Sequence, residues 1–391
     1  MQNTAYLDAR KENRPTSAGI YIHIPFCKQA CVYCNFHFST SLKYKAEMVQ
    51  AIMQELELQR EYLKNTPIET IYFGGGTPSL LTEYEINNIV ETVYKNYTVN
   101  RVTELTLEAN PDDLNKEYLR ALKNTPINRL SIGVQSFKDA DLLYMKRAHN
   151  AQEADYAIKA AQDNGISNIS IDLIYGTPGL TDKNWKENMA KLSELSIPHF
   201  SAYALTVEDK TALKHAIQKK TSAPVDAEQA AGQFELLMEY ASVMGYEHYE
   251  ISNLALPGHY AVHNTNYWRG LPYLGIGPSA HSFSGHSRKW NVANNALYIK
   301  SIISDKKIPF EEEELTDIQF LNEYIMTSLR TMWGCDLDKI TTDWGSDILK
   351  ELKNNAEQLI DEGKVEIKDN KLIITNKGKL FADGIASDLF F

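Results

Sequence analysis

Cysteine is scarce in this chain, with four residues among 391, and the scarcity excludes a small disulfide-stapled scaffold. Long apolar runs are missing too. No stretch approaches the roughly 18 to 20 apolar residues of a membrane-spanning helix, and residues 1–8 have neither the basic segment nor the apolar core of a secretory leader. The expected location is therefore cytoplasmic, at most peripheral to the inner face of a membrane. Positive charge is also in deficit. The 40 basic and 51 acidic residues leave a formal charge of −11, which argues against nonspecific attraction to nucleic acid, and no nucleic-acid partner is expected.

The length suits a body of about 200 to 250 residues with a smaller domain attached. Six short β-rich segments occupy 19–24, 68–73, 103–108, 129–134, 168–173 and 200–205. Helical periodicity separates them at 41–62, 83–97, 151–163 and 182–195. Such alternation predicts parallel strands with crossover helices, and six repeats predict an α/β fold, an open (β/α)6 three-quarter barrel with its site at the C-terminal strand ends. A doubly wound sheet is the alternative, because strand order is not legible in one sequence. Further on, 227–244 reads as a helix, 249–253 as a strand, 257–286 as an aromatic loop, and Glu311 to Glu314 as a solvated acidic linker. Helices at 316–332 and 346–362 then lead into a hairpin across Asp369-Asn370, in which Val365, Ile367, Leu372 and Ile374 alternate with polar residues. The expected partition is a partial barrel over 1–225, a barrel extension over 226–310, and an α+β, winged-helix-like C-terminal domain over 311–391. That last domain shows no basic recognition face, so it reads as a packing or docking element. Cys335 within it reads as a buried apolar filler.

The other three cysteines fall within eight residues just past the first strand, as Cys27-x3-Cys31-x2-Cys34. Three thiolates on one short loop suit a cubane 4Fe-4S cluster, each taking one iron and leaving the fourth without a protein ligand. A small chelating molecule such as S-adenosylmethionine (SAM) would complete that iron through its amino and carboxylate groups. The same thiols with His23 or His37 also suit a structural zinc knuckle, and the spacing by itself leaves both open. The second strand ends in Gly74-Gly75-Gly76-Thr77-Pro78, where glycines permit close backbone approach to a ligand and Thr77 adds a hydroxyl. The third strand ends at Glu108, the fourth at Gln135 with Arg147 shortly after, and the fifth carries Asp172. Several polar residues at corresponding strand ends describe a pocket for a charged cofactor.

The cysteine spacing together with the glycine run resembles the radical SAM superfamily. Tyr21-Ile22-His23-Ile24-Pro25-Phe26-Cys27, Arg129-Leu130-Ser131-Ile132-Gly133-Val134-Gln135-Ser136-Phe137 and Ile171-Asp172-Leu173-Ile174-Tyr175-Gly176 further resemble the oxygen-independent coproporphyrinogen oxidase (HemN) group, along nearly the whole chain. The resemblance implies that Cys27, Cys31 and Cys34 hold the 4Fe-4S cluster and that Tyr21 lies beside it. It implies that Tyr33, Gly75, Gly76 and Thr77 contact the adenine or methionine portions of SAM. Glu108, Gln135, Arg147 and Asp172 would hold its amino, carboxylate and ribose groups, for which carboxylates and a guanidinium are chemically suited.

Two features depart from the oxidase pattern. Phe36 stands where the oxidases have a further cysteine, and only 26 residues precede Cys27, where the oxidases carry a long arm. Both resemble the HemW subgroup, regarded as haem chaperones. His263-Asn264-Thr265-Asn266-Tyr267-Trp268 matches the HNxxYW motif associated with haem binding there. His263 offers an axial imidazole, and Tyr267 and Trp268 are suited to pack on a macrocycle; His259, His281 and His286 lie near enough in sequence to serve instead. The resemblance thus implies a chaperone with 4Fe-4S, SAM and haem as cofactors, delivering haem to haem-accepting proteins, membrane-associated respiratory proteins among them. Its competitors are oxidative decarboxylation of coproporphyrinogen III to protoporphyrinogen IX, and radical SAM chemistry on another substrate, such as methyl transfer.

Overall fold

Residues 16–391 are described by a computed structural model; residues 1–8, read above as lacking a leader, lie outside the described residues. Strands β1 (Ala18–Ile24), β2 (Ile68–Gly75), β3 (Glu104–Ala109), β4 (Arg129–Gln135), β5 (Ile169–Tyr175) and β6 (His199–Ala204) lie side by side in chain order. All five pairings are parallel. A doubly wound sheet would reverse its order partway, so the sequential order excludes that alternative. Side chains alternate across the pleat. Ile20, Ile22, Ile71, Phe73, Leu105, Leu107, Leu130 and Ile132 are fully buried in one hydrophobic core. Their neighbours Tyr21, His23, Thr70, Tyr72, Glu104, Glu108 and Arg129 point to the opposite, inner face, which is polar.

Helices α1 (Lys45–Leu58), α2 (Glu83–Asn96), α3 (Lys116–Leu122), α4 (Asp139–Tyr144), α5 (Ala151–Asp163) and α6 (Asp182–Glu194) fall between the strands. Their starts follow from capping chemistry. Thr82 with Glu85, and Asn150 with Glu153, form reciprocal capping boxes at α2 and α5, satisfying donors that a helix cannot use internally. After β6 come α7 (Ala212–Gln218) and α8 (Ala227–Met244), the latter stopped by Gly245 in the left-handed conformation at φ 77°.

Six further strands extend the sheet on both sides. β7 (Glu247–Glu250) pairs antiparallel with β8 (Asn253–Ala255), which in turn pairs antiparallel with β6, so the single strand expected at 249–253 is instead two short ones joined by a turn. Helix α9 (Val262–Trp268) follows, then β9 (Tyr273–Ile276), parallel to β1, and antiparallel β10 (His281–Phe283) and β11 (Ser287–Asn291). The stretch 257–286, expected to be loop, therefore contains one helix and two short strands joined by turns. After α10 (Asn295–Ile303) comes β12 (Phe310–Glu314), paired with β11 and exposed throughout. The acidic segment is solvated as expected but is an edge strand, not a linker; charges on an edge discourage pairing with another chain. Since β7 and β12 both end the sheet, it stays open.

The C-terminal domain comprises α11 (Asp317–Leu329), β13 (Cys335–Asp336), α12 (Leu337–Trp344), α13 (Ser346–Asp361), β14 (Val365–Lys368), β15 (Lys371–Ile374) and α14 (Ala382–Asp388). Its three-stranded sheet and helices enclose a separate core containing fully buried Cys335. The hairpin turns at Asp369 and Asn370, with φ 49° and 59°, the paired positive φ of the favoured two-residue turn. Arg330 joins the two bodies, its guanidinium 2.9 Å from the Glu250 carboxylate, which is 1% exposed. Among the described residues no helix is long and apolar enough to cross a membrane.

Candidate cofactor site at the strand ends

The cysteine loop leaves the end of β1 and is fixed by its backbone. Cys27 N–H donates to Ser39 carbonyl at 3.0 Å and Val32 N–H to Met145 carbonyl at 3.3 Å, while Lys28 pairs with Asp112 and Asp113. The three thiols are unpaired and partly exposed. Burial pushes Cys27 up to about 11, against the Thr77 hydroxyl that holds it down, and raises Cys34. Such thiols stay protonated until a metal displaces the proton.

The zinc alternative fits poorly. His23 is held by both ring nitrogens, by the Tyr21 hydroxyl at 3.2 Å and by the His37 carbonyl at 3.0 Å, and His37 Nε2 lies 2.7 Å from Asn295 Oδ1. Among the described residues no three His, Cys, Asp or Glu side chains converge on one point suited to a single ion. A cubane makes no such demand, because each thiolate meets a different iron.

The glycines that close β2 serve the protein's own packing. A Cβ at Gly76 would lie 2.5 Å from the Phe26 carbonyl and one at Gly75, whose φ is 108°, 2.5 Å from the His23 ring. Their absence of side chains lets β2 close against the root of the cysteine loop. Thr77, 2% exposed, accepts from Asn110 Nδ2 at 3.2 Å and faces Cys27. Glu108 stands on the inner face, accepting from the Tyr72 hydroxyl at 2.8 Å and Gly75 N–H at 3.1 Å. Burial raises its carboxyl to about 7, with those donors opposing. Asp172 beside it rises to about 6 for the same reason. Tyr21 lies close to this pair, its hydroxyl pushed well up by burial and then by the Glu108 charge.

Arg147 organises the other half of the site. Its Nη2 donates to Asn110 Oδ1 at 2.7 Å and to Gly133 carbonyl at 2.8 Å, and its Nη1 reaches Cys31 Sγ at 3.3 Å. Tyr33 lies beside its charge. Its Nε is buried without a partner, as is Nδ1 of His149, whose Nε2 donates to Val134 carbonyl. Gln135 ends β4 at φ 66°, strained for a residue with a side chain, where the β4–β5 register shifts. A guanidinium N–H and an imidazole lone pair, both buried and unpaired beside a strained strand end, are groups that a polar ligand would satisfy. The structure thus brings twelve of the thirteen residues marked in the sequence to this end. Asn110, which links Arg147 to Thr77, was missed; its place directly after β3 was the available signal.

His263 is elsewhere. It lies under the inner face near the N-terminal strand ends, 2% exposed, with Nδ1 2.8 Å from Thr70 Oγ1 and Nε2 2.7 Å from the Tyr267 hydroxyl. Its ring stacks on Tyr72 at 5.0 Å. The Glu104 carboxylate receives the N–H groups of Val262 and His263, which fixes α9 there. Burial and the nearby Arg129 charge lower the imidazole to about 3.

Comparison with known proteins agrees with this geometry. The sequence profile of the Radical SAM superfamily matches residues 21–192 and that of the HemN C-terminal domain matches 315–381. The heme chaperone HemW of Bacillus subtilis is 31% identical over 368 residues, 93% of this chain and 97% of that protein. The heme chaperone HemW of Escherichia coli is 35% identical over 267 residues, 67% and 69% of the two chains. A mitochondrial radical S-adenosyl methionine domain-containing protein 1 of Danio rerio is 31% identical over 81% of this chain and 73% of its own. Among solved structures, coproporphyrinogen III oxidase (HemN) from Escherichia coli superposes with a TM-score of 0.82 at 22% identity, covering 99% of this chain and 93% of that one. At that identity the likeness establishes the fold.

Proposed function

We propose that this chain, which belongs to the HemW family of the radical SAM superfamily, is a haem chaperone that binds haem and passes it to haem-dependent proteins. The observation that carries this reading is the likeness to heme chaperones along more than nine-tenths of the chain. Cys27, Cys31 and Cys34 would hold a 4Fe-4S cluster at the strand ends, with SAM bound beside it. Arg147 would receive the methionine carboxylate of SAM, and Glu108 with Asp172 would accept from its ammonium and ribose hydroxyls. Cluster and SAM together supply one-electron chemistry when bound.

The residues themselves prepare the site. Thr77 orients the Cys27 thiol, Asn110 holds Arg147 and Thr77 in register, and Tyr72 with Gly75 keeps the Glu108 carboxylate aimed along the inner face. Phe36, 69% exposed, occupies the position of the oxidases' additional cysteine and offers no ligand. The test uses anaerobically reconstituted protein, assayed in parallel for haem uptake and for conversion of coproporphyrinogen III with SAM and a reductant. Stoichiometric haem uptake and its transfer to an apo-haem protein, without protoporphyrinogen IX, supports the chaperone; product at enzymatic turnover makes the protein an oxidase.

A further inference from the structure

We infer that the cavity between the first body's α9 and β9–β11 and the C-terminal domain binds a flat tetrapyrrole bearing carboxylates. The inference rests on the haem-chaperone reading and deepens it by placing the ligand. The cavity measures about 540 Å³, within the roughly 300 to 1,000 Å³ that encloses a cofactor-sized molecule. It lies between two separate hydrophobic cores, neither of which fills it, and sites recur at such junctions between bodies.

Its walls are aromatic on both sides. Tyr267, Trp268 and Tyr273 line it from the first body, and Phe320, Tyr324 and Trp344 from the second. Tyr324 and Trp344 stack at 5.7 Å with 23° between planes, while Tyr267 and Tyr273 meet edge to face at 4.5 Å. Facing aromatic walls favour a flat π-system over a branched apolar chain. Cations give the carboxylates a place. Of the lining residues Arg269, Arg288 and Lys339, Arg288 pairs with Glu323 at 2.9 Å and Lys339 with Asp343. Arg269 lies 5.1 Å over the Trp333 ring and pairs with no carboxylate among the described residues, so one cation is left for an anionic ligand.

This placement divides the HNxxYW motif between two tasks. Tyr267 and Trp268 face the cavity, whereas the imidazole of His263 does not line it and reaches it only through the Tyr267 hydroxyl. His263 is then a positioning residue that fixes Tyr267 in the cavity wall. The C-terminal domain acquires a function as well: it supplies the second wall.

The experiment titrates full-length protein with haem and, separately, with metal-free protoporphyrin IX, followed by absorbance and tryptophan quenching. Thr327→Trp projects bulk from α11 into the cavity, and Arg269→Ser removes the available cation. Wild type is expected to bind both ligands. Thr327→Trp should weaken both by at least about tenfold without lowering the melting temperature, and Arg269→Ser by about tenfold. Should Thr327→Trp unfold the chain, the exposed Arg269→Ser decides. Haem binding that survives both variants, or haem binding without any for protoporphyrin IX, overturns the cavity and leaves the chaperone reading standing. Wild type that binds neither ligand overturns both.

Discussion

The two ends of one polar sheet face are built on opposite principles. At the C-terminal strand ends, thiols are partly exposed, Arg147 Nε and His149 Nδ1 are buried without partners, and Gln135 sits in a strained conformation. At the N-terminal ends the ionisable groups are satisfied from within. His263 is held by Thr70 and Tyr267, His199 by Ser170 at 2.6 Å and Tyr249 at 2.7 Å, and Glu104 by the backbone of α9. A guanidinium or imidazole nitrogen buried without a partner costs about 1–3 kcal/mol, so an end that leaves such ionisable groups open is arranged for a ligand. The closed end is arranged for stability. A histidine motif associated with haem therefore begins inside the closed half, and only its aromatic end reaches a cavity.

Substitutions break this contrast in graded ways. Cys31→Ala should abolish iron–sulfur absorption entirely after anaerobic reconstitution, yet shift the stability of the metal-free chain by less than about 1 kcal/mol in urea titration. At the closed end the balance inverts. His263→Ala leaves two buried hydroxyls unpaired and opens a void, so denaturant titration should register a loss of about 3–5 kcal/mol, with cluster assembly retained in whatever folds.

Proton linkage separates the ends as well. Glu108, raised to about 7, must be ionised to accept from SAM. As pH falls through about 7 it gains a proton, and SAM affinity measured by equilibrium dialysis should drop roughly tenfold per pH unit below that point. Glu108→Gln should flatten the profile. Stability follows the histidines instead. At the closed end His263 is lowered from 6.5 to about 3 and His199 falls well below 6.5, both chiefly by burial, so the stability they secure is complete above 6.5. It is lost progressively as pH falls from 6.5 toward about 3, because the unfolded chain binds those protons first. Melting temperatures across that window check this. The smallest effect belongs to the partly exposed Lys28, whose replacement by alanine should cost under about 1 kcal/mol.

Much of the open end was legible because its parts are local. Strand alternation marks the inner face at Tyr21, Glu108 and Asp172, and the cysteine spacing spans a single loop. The closed end was illegible because its partners are remote: Thr70 and His263 are 193 residues apart, and nothing near His263 announces that both its nitrogens are taken. The glycine run was read for a ligand's approach, whereas the Cβ positions at Gly75 and Gly76 collide with His23 and Phe26, contacts fixed only by β1–β2 pairing. Glu311 to Glu314 looked like a linker because an edge strand exposed on both faces keeps no apolar alternation to betray it.

The open end is tested most directly by iron and sulfide analysis of the anaerobically reconstituted protein, with electron paramagnetic resonance of the reduced sample before and after SAM. The account predicts ~4 iron and ~4 sulfide per chain and a spectrum altered by SAM, since one iron is open to it. Bound zinc without sulfide, or a cluster whose spectrum is indifferent to SAM, would contradict it.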